Sequence, residues 1–199
     1  MLPAASQRHL VLASSSPRRA EILRMLGFEF EVVPSEVVEE DHGHPDPIEH
    51  VRRLARLKAE QVRAAAPRDL VLGADTIVVV DSDILNKPAS ADEALAMLRR
   101  LRGRWHTVFT GVALADGATH RTVVGHESTD VRFHAWDDDF LRRYVATGEC
   151  MDKAGAYAIQ GLGALLVREI RGCFYNVMGL PIGCLVELLG ALPSERGVP

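Results

Sequence analysis

The 199-residue sequence has little that would staple, anchor or charge-load a protein. Its three cysteines, Cys150, Cys173 and Cys184, are odd in number and show no C-x-x-C or Cys/His spacing. That excludes a disulfide framework and a zinc site, and reduced thiols of a cytoplasmic protein are expected. No apolar run reaches the roughly 18 residues that span a bilayer, and the run His9 to Ala13 is too short for a signal-peptide core, so no membrane partner is expected. There is no basic excess either: 23 Lys and Arg against 27 Asp and Glu give a net charge of −4, which argues against a partner as long as a nucleic acid. Repeats, low-complexity tracts and Gly/Ser linkers are absent as well.

What is there is an ordinary globular composition, 47% hydrophobic and 25% charged. A chain of this length buries roughly 70% of its unfolded surface, enough for one domain over residues 1–199 with room for two lobes. Short β-rich runs alternate with amphipathic stretches. HLVLA (9–13) reads as a buried strand, and SSSPRRAEILRML as a turn into a helix with Ser16 at the N-cap, Pro17 at the first helical position and Gly27 at the stop. FEFEVV (28–33) alternates like a strand, Pro34 to Asp46 reads as a loop, and Asp46 caps a helix running to about Ala65. DLVLG (69–73) and IVVV (77–80) read as strands separated by Ala74, Asp75 and Thr76. A capping box at 90–93 opens a third helix. Strand-like stretches at 105–115 and 119–133 flank the turn signal Asp116-Gly117. A helix near 137–147, strands near 157–159 and 164–170, and a helix from Pro181 complete an α/β protein with a mixed sheet flanked by helices.

Four stretches carry chemistry. In Ser14 to Arg19, hydroxyls fill a turn into a helix whose N–H groups and dipole favour an anion, and two guanidinium groups stand beside them. A capped helix with solvated arginines is the plainer reading. Counting 100° per residue from Ile48 places Val51, Ala55, Lys58, Ala59 and Val62 within one stripe. Lys58 thus lies on an apolar face, from which it either snorkels to water or meets a fixed negative charge. Asp75 sits between two buried runs, where a carboxylate needs a partner, a metal or a proton-accepting task, unless it simply turns the chain. Lys87, fixed by Pro88, adds a fourth cation to Arg18, Arg19 and Lys58 for one polyphosphate. Residues 152–163 are rich in small side chains around Gln160, whose amide suits a base edge. Gly161 and Gly163 lack the third glycine of a dinucleotide fingerprint because position 166 is Leu, and His42-Gly43-His44 reads as a solvated loop.

These residues stand within LASSSPRRAEIL, VRRLARLKAE, VLGADTIVVVD, KP followed by A-x-x-M-L, HTVFTGVAL, Y-V-A-T-G-E, DKAGAYAIQG and NVMGLP. In these stretches the sequence resembles the Maf family of nucleoside triphosphate pyrophosphatases over about residues 9 to 190. The resemblance implies a mixed α/β fold like that of inosine triphosphate pyrophosphatases, with a cleft between two lobes. It also implies release of pyrophosphate from a nucleoside triphosphate with a divalent cation, magnesium or manganese. It makes Asp75 the proton acceptor, beside which a metal fits, and Ser14, Ser16, Arg19, Lys58 and Lys87 the phosphate-binding set. Glu40 aligns with a family glutamate near the metal. Arg18, Thr76 and Gln160 match the dTTP/UTP type, whereas the 7-methyl-GTP type carries an aromatic residue, a Gln and S-E-G at the corresponding places. Modified pyrimidines suit the same residues, and a homodimer is compatible with the sequence. Asn86 departs from the glycine that usually precedes the Lys-Pro pair. A regulatory nucleotide-binding protein of septum formation is the competing reading. It would show a broken catalytic set, and Asp75, Lys58 and Lys87 are intact.

Overall fold

The structure is a computed structural model that describes residues 8–39 and 43–192. Its elements in chain order are β1 (Leu10–Leu12), α1 (Pro17–Met25), β2 (Phe30–Val32), α2 (Pro47–Arg63), β3 (Leu70–Val80), β4 (Asp83–Leu85), α3 (Ala91–Leu101), β5 (Trp105–Asp116), β6 (Thr122–Phe133), α4 (Asp138–Ala146), β7 (Val167–Arg171), α5 (Phe174–Met178) and α6 (Ile182–Ala191). Two short 3-10 segments, Ala154–Ala156 and Gly161–Leu166, lie between α4 and β7. The seven strands pair in the order β2-β1-β3-β5-β6-β7, with β4 added to β3. β1 runs parallel to β2 and β3, whereas β4 on β3 and β7 on β6 are antiparallel. The expected mixed sheet of an α/β protein is therefore present. No helix among the described residues is long and apolar enough to cross a membrane.

The chain divides into two compact units. The first takes the residues up to Asp75, Thr110–Glu127 and those from Gly179 on; the second takes Thr76–Phe109 and Ser128–Met178. In the first unit Val11, Val71, Ala113 and Ala115 pack against Ala55, Ala59 and Val62 of α2. These are the small members of the predicted stripe, and their size lets α2 lie close to the strands. Gly73 brings it closer still, since a Cβ there would stand 2.3 Å from the Ala55 carbonyl oxygen and 2.7 Å from the Ala59 nitrogen. The second unit has larger core residues, Leu98, Leu101, Phe133, Leu141 and Leu166 among them. Within it His106 joins Tyr157 Oη through Nε2 at 2.8 Å and meets Phe133 edge-on. Burial pushes the His106 imidazole down to about 3, so it stays neutral.

Capping follows the sequence at α2, where Asp46 Oδ1 accepts from Ile48 and Glu49 N–H, and at α3, where Ser90 Oγ accepts from Glu93 N–H. Several expectations need correction. Ala74, Asp75 and Thr76 do not separate two strands; β3 runs unbroken through them, because the buried carboxylate finds a cation and the ladder has no reason to stop. Val80 then turns back through Asp81 and Ser82, at φ 52° and 67°, into β4. That two-residue turn carries no glycine to announce it. Residues 157–159 form no strand, β7 begins only at Val167, and the short α5 was not expected. After Asp116, five residues make the connection to β6. Asp116 Oδ1 accepts from the N–H of Ala118 and Thr119 and from Arg8, which bonds it at 2.7 Å.

Candidate active site

The site begins where β1 ends. Ser14 is buried; Ser16 occupies the N-cap of α1 as the sequence suggested, yet its side chain makes no capping bond. Instead Ser14 Oγ accepts from the Ser16 N–H at 3.2 Å and from Arg19 Nη1 at 2.8 Å. Arg19 Nε donates to the carbonyl of Gly179 at 2.9 Å. The guanidinium is buried, which lowers its pKa, and the Asp75 carboxylate opposes that effect. Arginine suits this place because its planar fork reaches two acceptors set at an angle. Arg18 and Ser16 are half-buried and Ser15 is exposed.

On α2 the helical count holds: Val51, Ala55, Lys58, Ala59 and Val62 are all buried, Lys58 at 8% exposure. Its ammonium does not snorkel. It donates to Asp75 Oδ1 at 2.7 Å and to Glu39 Oε1 at 2.6 Å. Asp75, 5% exposed, follows Gly73 by two residues on β3 and so shares its face, the one on which α2 rests. The other carboxylate oxygen, Oδ2, is buried with no hydrogen-bond partner among the described residues. A buried anionic oxygen left in this way costs free energy comparable to a lost hydrogen bond, and such cost is kept where a ligand or proton is expected.

The structure thus brings together Ser14, Arg19, Lys58 and Asp75, all in the first unit, and adds two groups the sequence reading missed. Gly179 acts through a backbone carbonyl, which leaves no trace in residue type; its only signal was the stretch NVMGLP. Glu39 stands next to the glutamate singled out from sequence, and its signal was the same VVEED run. Glu40 itself and His42 lie outside the described residues. Thr76 is half-buried, and strand alternation turns its side chain away from the face that carries Asp75. Thr76, Lys87 and Gln160 belong to the second unit, where Lys87 is exposed and Gln160 half-buried. Asn86 acts there through its backbone: its carbonyl accepts from the Gly155 N–H at 3.2 Å.

No group of three or more His, Cys, Asp or Glu side chains among the described residues is placed to hold a metal. A hard divalent cation on a polyphosphate does not need one. Magnesium takes one or two protein carboxylates and completes its octahedron with water and phosphate oxygens. Asp75, with its unpartnered Oδ2, and Glu39, which reaches the same ammonium nitrogen, fit that requirement.

Known proteins share the sequence of this chain over most of its length. The family described as Maf-like protein matches residues 9–192. The dTTP/UTP pyrophosphatase of Symbiobacterium thermophilum is 51% identical over 92% of this chain and 93% of its own. Those of Syntrophus aciditrophicus and Caldicellulosiruptor bescii are 48% and 47% identical, covering 93% and 88% of this chain and 90% of each relative. Among solved structures, the Staphylococcus aureus Ham1 protein aligns over 78% of both chains at 14% identity and a TM-score of 0.46, a likeness too weak to carry an argument. The matched family and the extent of these identities establish that the chain belongs to the Maf family.

Proposed function

We propose that this protein hydrolyses dTTP and UTP to the nucleoside monophosphate and pyrophosphate, acting on modified pyrimidine triphosphates by the same chemistry. The observation that carries the reading is Asp75, a buried carboxylate with one oxygen on Lys58 and the other without a partner. Oδ2 is the proton acceptor for a water that attacks the α-phosphorus; the bond from that phosphorus to the bridging oxygen breaks, and pyrophosphate leaves with the oxygen. Lys58 fixes the carboxylate's orientation through the hydrogen bond to Oδ1 at 2.7 Å. Arg19 holds Ser14 and the chain at Gly179 in place around the end of β1, and Ser14, Ser16, Arg19, Lys58 and Lys87 are assigned to the phosphates. A divalent cation would be held by Glu39 beside Asp75 and would supply charge neutralisation on the phosphate oxygens. Arg18, Thr76 and Gln160 are assigned to base selection on the resemblance of these residues to the dTTP/UTP type. A site that hydrogen-bonds a pyrimidine edge rejects a purine by leaving its own polar groups unpaired.

A panel of dTTP, UTP, GTP and 7-methyl-GTP with magnesium or manganese, read as pyrophosphate released, tests the assignment. Turnover of dTTP and UTP is expected. Turnover confined to a purine nucleotide overturns the substrate class. Asp75→Asn is expected to abolish turnover while nucleotide binding stays measurable, and retained turnover refutes its role.

A further inference from the structure

We propose that Glu149 is a positioning residue for base selection: it clamps the backbone on the C-terminal side of Gln160 and so sets where that amide is presented. The inference rests on the reading of Gln160 given above. Glu149 follows the end of α4, and its carboxylate closes onto the segment that carries Gln160. Oε2 accepts from the Leu162 N–H at 3.1 Å and Oε1 from the Gly163 N–H at 2.9 Å. Tyr144, buried on α4, donates its hydroxyl proton to Glu149 Oε1 at 3.2 Å and accepts from the Ala158 N–H at 3.3 Å. One carboxylate and one phenol therefore take three backbone donors, two residues before Gln160 and two and three residues after it. Burial pushes the Tyr144 phenol above its ordinary range, so it remains a donor to the carboxylate.

The two glycines that fail as a dinucleotide fingerprint have their reason here. Gly161 is left-handed at φ 62°, and a Cβ there would lie 2.7 Å from Glu149 Oε2. A Cβ at Gly163 would lie 2.2 Å from the Ala158 carbonyl oxygen and 2.8 Å from the Tyr144 hydroxyl. Only bare backbone lets the clamp close. Lys153 holds the other end of the clamp by donating to the Glu149 carbonyl. Charge-assisted acceptors of backbone N–H groups are the strong kind, and a loop held at three donors presents its central side chain at low entropic cost.

The test is a double-mutant cycle on substrate choice. The ratio of kcat/KM for dTTP to that for dGTP is measured in the wild type, Glu149→Gln, Gln160→Ala and the double variant, with thermal unfolding run beside it. Glu149→Gln turns an acceptor into a donor facing backbone N–H groups. It is expected to lower the ratio about tenfold in the wild-type background and less than twofold in the Gln160→Ala background. An equal fall in both backgrounds means that Glu149 supports the unit generally and overturns the proposal. So does an unchanged ratio in Glu149→Gln when Gln160→Ala lowers it. An unchanged ratio in Gln160→Ala removes the base-selection reading of Gln160 and the proposal with it.

Discussion

Replacing Lys58 by methionine keeps the methylenes that pack in the α2 stripe and removes only the charge. The Lys58 and Asp75 side chains are 10% and 7% exposed, so in Lys58→Met the carboxylate stays in place with neither oxygen partnered. Breaking a buried ion pair from one side costs about 3–5 kcal/mol. Glu39 adds little to that figure: its side chain is 45% exposed and rehydrates when the ammonium is gone, and pairs of that kind are worth about 1 kcal/mol or less. Asp75→Asn is milder, because the amide oxygen still accepts from Lys58 and the lysine keeps Glu39; about 1–3 kcal/mol is expected. In Lys58→Met with Asp75→Asn no buried charge remains, and the cost falls back to that of a poorly paired amide, again about 1–3 kcal/mol. Adding the single costs would give about 4–8 kcal/mol. The double variant should therefore be more stable than Lys58→Met alone by about 2 kcal/mol.

Urea unfolding at pH 7.5 without nucleotide reads this directly. With a slope of about 2 kcal/mol/M, the double variant's midpoint should lie about 1 M above that of Lys58→Met. Turnover cannot serve, since all three variants are expected to be inactive. A Lys58→Met midpoint equal to the wild type, or a double variant whose loss is the sum of the singles, refutes the argument that Lys58 is retained to compensate a buried carboxylate.

Gly73→Ala places a methyl 2.3 Å from the Ala55 carbonyl oxygen; a melting temperature lower by about 4 °C or more and a reduced kcat are expected, and an unchanged melting temperature would refute the close seating of α2. His106 gives a pH dependence. Its folded-state pKa lies below the ordinary 6.5, at about 3, so its contribution is complete above pH 6.5 and is lost by about 1.4 kcal/mol per unit as pH falls toward 3. His106→Gln, which keeps an acceptor for Tyr157, should flatten the urea midpoint between pH 6.5 and 5, and an equally steep profile counts against the assignment. Asp116 acts lower on the scale. Arg8 first, then Thr119, hold its carboxyl well below the usual carboxylate range. Its stabilisation is present above about pH 4 and lost as pH falls below that, so Asp116→Asn should blunt acid unfolding there and leave the pH 5–6.5 region untouched.

Legibility from sequence followed the kind of signal each residue gives. Lys58 was readable because burial on a helix is periodic, and one charged residue in a stripe of valines and alanines is conspicuous by arithmetic alone. Asp75 was readable as chemistry but misread as structure. An Asp between apolar runs resembles a chain break until its partner is known, and the partner lies 17 residues away on α2. Glu39 sits in a loop without periodicity, so nothing local separates it from its neighbours in VVEED. The Asp81-Ser82 turn and the Gly179 carbonyl were illegible for a common reason: both act through backbone, which residue type reports only when glycine or proline is demanded.

Charge is where the structure changes the sequence reading most. Counting Arg18, Arg19, Lys58 and Lys87 suggested a positive pocket inside a protein of net charge −4. In the first unit, however, Lys58 is shared by two carboxylates, and the Arg19 guanidinium feels the Asp75 charge. The group assembled in the first unit is nearly compensated within itself, Lys58 and Arg19 standing against Asp75 and Glu39. Such compensation keeps the buried charges paired, and under the proposed function Glu39, beside Asp75, would be the carboxylate offered to a divalent cation bound with the phosphates. On that reading, binding would be an exchange of partners within this set of charges. Exchange of that kind would tell a metal-bearing polyphosphate from a simple anion, because only the former brings a positive centre for the carboxylates and a negative one for the lysine.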